Sequence, residues 1–320
     1  MKKRTKIILV SLVILVILGL LGILLLVTTK TANTEPRRIF LPEGTTQEAL
    51  VDTLHARGIL EEGLNTKIFN FQFSILNSKV RPGSYVVAPR MKTLTLVRHL
   101  RNGHQTPIRL TIGKFRTPQQ LNTYLNNKLM HNDFNVTLND FYIIRPNTYE
   151  FYWTVTPEKF MARMTDEFND FWKNKTGKFD YNLRNIIILA SIVEEETNND
   201  AEKPLIASVY LNRLNKGIPL QADPTVKYAV GDFSLKRILN RHLTVDSPFN
   251  TYLHTGLPPA PICLPSENSV DAVLNAKETN YLYFCASDKM DGTHRFAATL
   301  AEHNRNATAF HRALNARGIK

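Results

Sequence analysis

The sequence predicts an α+β protein carried on a single N-terminal membrane helix. Three observations predict it. From Ile7 to Val27 the chain runs without a charge and is almost wholly apolar. Between residues 38 and 112, short strand-like runs alternate with capped helical stretches. Beyond residue 156 helical patterning dominates, and the run Ile186–Ala190 is apolar on every side.

As a helix, the apolar run 7–27 spans about 32 Å, the thickness of a hydrocarbon core of about 30 Å. Lys2, Lys3, Arg4 and Lys6 precede it and only Lys30 follows closely, so the positive-inside bias predicts a cytoplasmic N-terminus and an extracytoplasmic remainder. A cleaved signal peptide would have a shorter apolar region and small residues at its cleavage site. Val27-Thr28-Thr29-Lys30 offers none, so an uncleaved anchor is expected.

The divisions that follow are a tail (1–6), an anchor (7–27), a tether (28–37), a small β/α subdomain (38–112) and a larger mixed α/β domain (113–320). In the small subdomain, Arg38–Leu41 reads as a strand, and Thr45 or Thr46 caps a helix that Gly58 ends. A second helix covers about 62–76. Ser84–Val87 is a strand, Thr93–Leu100 a helix and Pro107–Ile112 a strand. The spacing Thr46, Leu50, Leu54 recurs as Thr117, Leu121, Leu125. In the larger domain Thr156-Pro157-Glu158 is a helix start, with Phe160, Met164, Phe168 and Phe171 on one core-facing side. Tyr181–Thr197 should be the most buried helix. Pro204 opens another helix, ended by Gly217. The proline-rich stretch 246–265 carries Phe249, Tyr252, Leu257 and Ile262, which favours an ordered loop packed on the domain. A strand at Tyr281–Cys285, a turn at Asp291-Gly292 and a helix from about Thr299 close the chain.

Composition excludes several functions. Two cysteines, Cys263 and Cys285, cannot make a disulfide-rich scaffold or a four-cysteine zinc site, and nothing in their spacing decides whether they are bonded. No His-Glu-x-x-His, phosphate loop or dinucleotide fingerprint is present, so neither metal nor cofactor is expected. The net charge of +12 includes five basic residues within 1–30; the rest holds 35 basic against 28 acidic residues. That surplus suits an anionic polymer or membrane surface, and no basic run with interleaved aromatics points to nucleic acid.

Two clusters remain. Glu194-Glu195-Glu196 ends the most apolar helix, where the helix dipole disfavours acids by about 0.3–1 kcal/mol each. The run is either a solvated helix end or holds a general acid whose pKa is raised by apolar walls and acidic neighbours. Spacing does not choose among the three, although it puts Glu195 on the far side of the helix and more exposed. In Leu220–Tyr228, Asp223 before Pro224 reads as a helix cap, and Gln221 and Asp223 are alternatively contacts for sugar hydroxyls.

The motifs Ala190–Thr197, Ala207–Leu214, Gln221–Tyr228, Ser247–Tyr252, Gly256–Ile262, Tyr281–Phe284, His294–Phe296 and His303-Asn304 resemble, in order, those of the endolytic murein transglycosylases, the YceG-like family. The resemblance implies a LysM-like fold for the small subdomain. It also implies a membrane-anchored lyase cutting MurNAc–GlcNAc bonds of nascent peptidoglycan strands to leave 1,6-anhydro ends. The implied catalytic residue is Glu196, with Glu194 as supporting or alternative acid. Gln221, Asp223, Asn250 and Tyr252 are the expected sugar contacts, and peptidoglycan synthases the protein partners suggested. Two departures stand out: Leu110–Lys114 lacks an expected Glu-Gly, and Ala260 replaces a glycine. A wall-binding adaptor and a hydrolytic muramidase are the alternatives.

Overall fold

The computed structural model describes residues 2–173, 175, 182–235 and 237–317. The chain forms two compact units: residues 1–110, 128–131 and 150–155 make one, the remainder the other.

In the first unit, α1 (Lys2–Thr28) contains a stretch, Lys6–Thr28, long and apolar enough to cross a membrane. Its apolar side chains face outward along its whole length: Ile7, Val16 and Leu24 are all more than half exposed. Next come β1 (Arg37–Leu41), α2 (Gln47–Ala56), α3 (Leu64–Ile75) and β2 (Gly83–Val87). Strands β1 and β2 pair antiparallel, Ile39 opposite Tyr85. Alternation along β1 sends Ile39 and Leu41 into a core with Leu50 and Leu54 of α2 and Phe69 and Phe73 of α3. Helix α4 (Thr93–Asn102) adds Leu96, Val97 and Leu100 to that core and ends at Gly103, whose left-handed backbone suits glycine. Thr46 caps α2 through its side-chain oxygen, as its spacing predicts.

Strand β3 (Ile108–Ile112) pairs with β4 (Asn147–Phe151), and the division between units runs through both strands. Between them α5 (Pro118–Lys128) starts at Thr117, whose hydroxyl accepts from Gln120 N, so the echo of the Thr46 spacing is an echo of caps.

The second unit continues with α6 (Pro157–Trp172), capped by Thr156 with Pro157 in the first turn. Phe160 and Met164 are fully buried; Phe168 and Phe171 are partly covered and pack against the domain core. Helix α7 (Leu183–Glu196) is capped by Asn182, and every residue from Ile186 to Val193 is buried. Tyr181, expected to open this helix, lies outside the described residues. Helix α7 packs on α8 (Lys203–Asn215), α9 (Asp223–Val230) and α11 (Glu267–Leu274), with the short α10 (Asn240–Leu243) beside α9. Each of its buried isoleucines is worth about 1.5–3 kcal/mol relative to exposure, so α7 anchors the unit. The β5–β6 hairpin (Tyr283–Ala286 with His294–Ala297) and α12 (Leu300–Ala316), capped by Thr299, complete it.

The proline-rich stretch is ordered and stitched to α7. Ile262 N donates to Ser191 Oγ at 3.0 Å, Leu264 N to Phe115 O at 2.9 Å, and Ile262, Cys263 and Leu264 are buried. Both cysteines are free thiols.

Candidate active site

Successive residues of an α-helix point about 100° apart, so Glu194, Glu195 and Glu196 leave the end of α7 in three directions. Each meets a different environment.

Glu194 points between α8 and α11. Its Oε2 accepts from Ser266 Oγ and Ser269 Oγ, both at 2.5 Å, from Ser266 N at 3.3 Å, and from Lys203 Nζ at 3.2 Å. Burial alone would push its pKa up, but the hydroxyls and the ammonium outweigh it and hold the carboxyl below its ordinary value. Glu194 is therefore held in its carboxylate form and ties three helices together.

Glu195 is not the exposed member. Its side chain is 9% exposed and clamped by Lys114 Nζ at 3.3 Å and Arg116 Nη2 at 2.9 Å, from the turn after β3. Helical spacing says which way a side chain points but not what a distant segment lays over it.

Glu196 opens into a cleft. Its Oε1 accepts the hydroxyl of Tyr210, a buried residue of α8 whose ring meets Phe284 edge-on at 5.8 Å. Among the described residues no cation pairs with Glu196. Burial pushes its pKa up to about 7, the Tyr210 hydrogen bond opposes the rise, and the charges of Asp223 and Glu195 add to it. Glu196 and Asp223 line two adjoining cavities. One, of about 320 Å³, has Tyr210, Arg213, Gln221, Tyr252, Tyr283 and His303 in its walls. The other, of about 280 Å³, has Pro224, Lys227, Leu235 and Arg237. Glu196 and Asp223 are the two residues the cavities share, so these carboxyls mark where they meet; the two together are called the groove below.

The loops across the groove are fixed from below. Thr225 and Thr251 are buried with their hydroxyls 2.8 Å apart, and Thr251 Oγ1 accepts from Ala222 N at 3.0 Å. This bolts the segment bearing Gln221 and Asp223 to the segment bearing Tyr252. Gln221 holds a left-handed backbone (φ 51°), which lets Leu220 and Ala222 be buried on either side of it. Its Oε1 accepts from Arg213 Nη1 at 3.1 Å. Asp223 is no helix cap: it is the first residue of α9, and its Oδ1 accepts from Tyr252 Oη at 2.7 Å. Burial and then Asp223 push the Tyr252 phenol up. Asn250 is fully buried, with its amide spent on Leu243 O and Val245 O and its oxygen on Tyr252 N. It braces the loop and does not face the groove.

Sequence reasoning passed over Tyr210, Arg213, Tyr283 and His303. Arg213 is buried, donating to Leu282 O, Pro219 O, Leu220 O and Gln221 Oε1, with its guanidinium 5.2 Å from the Tyr283 ring. His303 stacks on the other partner of that pair, Tyr283, at 5.4 Å, and burial followed by Arg213 lowers its pKa. The three-residue spacing of Tyr210 and Arg213 on one face of α8 is the signal that was available. Among the described residues no group of three or more His, Cys, Asp or Glu is placed to share a metal ion.

The YceG-like family profile matches residues 39–309. The chain belongs to the YceG-like family. It is 42% identical over 147 residues to an endolytic murein transglycosylase of Bacillus subtilis, covering 46% of this chain and 40% of that protein. It is 26% identical over 317 residues to an endolytic murein transglycosylase of Streptococcus pneumoniae, covering 83% and 57%. The chain thus spans about half the length of the curated relatives it matches. A crystal structure of a YceG-like protein from Listeria monocytogenes superposes with a TM-score of 0.52 at 27% identity, covering 85% of this chain and 99% of that one.

Proposed function

We propose that this YceG-like protein is a membrane-anchored lytic transglycosylase that cuts peptidoglycan strands internally and leaves 1,6-anhydro-MurNAc ends. The observation that carries the reading is Glu196: one carboxyl with its pKa raised to about 7, in no ion pair among the described residues, where two cavities meet. A protonated Glu196 donates to the glycosidic oxygen as the bond to C1 breaks. The same carboxylate then takes the proton from the C6 hydroxyl of the MurNAc ring as that oxygen closes on C1. One group serves both steps, so no second carboxylate has to activate water. Tyr210 holds Glu196 in orientation. Gln221, Asp223 and Tyr252 are sugar contacts, with Arg213 setting Gln221. Glu194 supports the helix end as a fixed carboxylate.

The apolar helix α1 is read as a single-pass anchor with its N-terminus in the cytoplasm, and residues 38–112 as a LysM-like unit that positions glycan. The order β1, α2, α3, β2 with its antiparallel strand pair supports the second reading. Peptidoglycan synthases are the protein partners to look for. Hydrolysis is the competing reaction, favoured by Asp223 lying in the same groove as Glu196. Mass spectrometry of products from uncrosslinked glycan strands separates the two. Anhydro ends that vanish in Glu196→Gln support the lyase; reducing ends, lost also in Asp223→Asn, would establish hydrolysis.

A further inference from the structure

We infer that helix α3 is seated in the outer surface of the lipid bilayer beside the membrane helix, with Phe71 and Ile75 among the acyl chains. The inference rests on the reading of α1 as a membrane span and adds a second point of contact to it.

Helix α3 is amphipathic in an unusual way. Phe69 and Phe73 enter the core of the first unit, as an amphipathic helix should. Yet Leu64, Phe71 and Ile75 are 62%, 51% and 68% exposed. At intervals of seven and four residues they form one stripe on the solvent-facing side. An exposed apolar stripe on a folded unit asks for a partner.

The hydrogen bonds say where the stripe lies. Gln72 Nε2 donates to Leu26 O at 2.6 Å, inside the apolar span of α1. Asn65 Nδ2 donates to Lys30 O at 2.7 Å, just beyond it. Helix α3 therefore runs against the last turns of α1 with its C-terminal end the deeper. If Leu26 is within the hydrocarbon, Gln72 is at its edge, and Phe71 and Ile75 flank Gln72 at the same or greater depth. Leu64, level with Lys30, is shallower. Lys67, one turn from Leu64 at the shallower end of α3, is exposed, and its long stem lets the ammonium reach lipid phosphates. The pattern is that of an interfacial helix with apolar side chains down and a lysine at the rim. Its consequence is orientational: a lone span leaves the attached unit free to swing, whereas a second contact fixes which face of it looks at the membrane.

The test places the photoreactive residue benzoylphenylalanine, one site at a time, at 16, 64, 71, 75 and 102 of the full chain, reconstituted in phosphatidylglycerol/phosphatidylethanolamine vesicles. The three stripe sites are already exposed, so the larger ring displaces no core residue. Asn102 ends α4, whose first residue Thr93 bonds to Thr29 O at 3.0 Å, and so lies about 15 Å away along that helix. After illumination, lipid adducts are counted by mass spectrometry. The expected result is a strong lipid adduct at 16, adducts at 71 and 75 about five-fold or more above 102, and a smaller yield at 64. Adducts at 16 with none above the 102 level at 71 and 75 would overturn the seating and leave the anchor standing. A protein adduct in place of lipid at 71 and 75 would overturn it in favour of a protein partner. No lipid adduct at 16 would remove the anchor and the seating together.

Discussion

Glu194 and Glu196 stand two residues apart at the end of one helix and have been given opposite chemistry. Around Glu194 the fold supplies two serine hydroxyls, a backbone N–H and a lysine, all donors, so the carboxylate is stabilised where it is. Around Glu196 it supplies one phenol, burial without an ion pair among the described residues and two further acids, so the neutral carboxyl is favoured until near neutrality. Burial does not separate the two, since both groups are partly buried. What differs is the sign of the neighbours. The end of α7 thus holds both a fixed carboxylate and a carboxyl that titrates near neutrality, made from the same residue type.

The sharpest way to break this comparison is to remove each proton-binding site in turn. Glu196→Gln keeps size and one hydrogen bond but cannot move a proton, and anhydro-product formation should fall about 10²–10⁴-fold. The protein should still bind glycan in a pull-down with purified strands. A residual rate near wild type would shift the role elsewhere.

Glu194→Gln should act on stability instead. It strands Lys203, whose side chain is 5% exposed, with Asp200 as its remaining carboxylate. The cost should be about 3 kcal/mol, read as a lower midpoint in urea. The linkage signs are opposite for the two sites. A depressed pKa gives stability above the usual glutamate range that is lost as pH falls, so the penalty of Glu194→Gln should shrink in acid. A raised pKa makes folding dearer as pH climbs from about 4.5 to about 7, so Glu196→Gln should be more stable than the parent above pH 7 and no different near pH 4. Equal pH dependence in the two variants would dissolve the contrast.

Smaller effects sharpen it. The rate of the parent enzyme should decline above about pH 7 as Glu196 loses its proton. Tyr210→Phe removes the hydrogen bond that lowers the Glu196 pKa and should move that limb to higher pH, with a rate loss of about ten-fold or less. Glu195→Gln and Asp223→Asn each remove a charge that raises it and should move the limb to lower pH. Glu195→Gln should leave the maximal rate near that of the parent. A limb that stays in place in all three variants would mean that another group controls it.

Local chemistry made much of the fold legible. Caps at Thr46, Thr156 and Thr299, the proline after Thr156 and the apolar run of α7 are short-range signals, and the structure follows them. The pairing of β3 with β4 is not such a signal. Asn147–Phe151 offers few apolar residues and no turn beside its partner, and its register depends on everything between. The site divides the same way. The acidic run is visible in the chain, but the roles of its members come from Lys114, Arg116, Lys203, Tyr210, Ser266 and Ser269, brought in from three other segments: the turn after β3, α8 and the start of α11. Asn250 and Asp223 show the limit most clearly. Polar residues in neighbouring loops look alike in sequence, and only packing turns one into a brace and leaves the other facing the groove.

The burial of α7 carries a consequence for time as well as for energy. Amides from Ile186 to Val193 sit in the heart of the second unit and should exchange with deuterium only when that unit opens globally. Glu196 is attached to the end of this slowest segment, while Gln221 and Tyr252 ride on loops across from it. The threonine pair and Asn250 join those loops to one another, so any opening on that side would carry Gln221 and Tyr252 together as one body, against a carboxyl fixed to the slow helix.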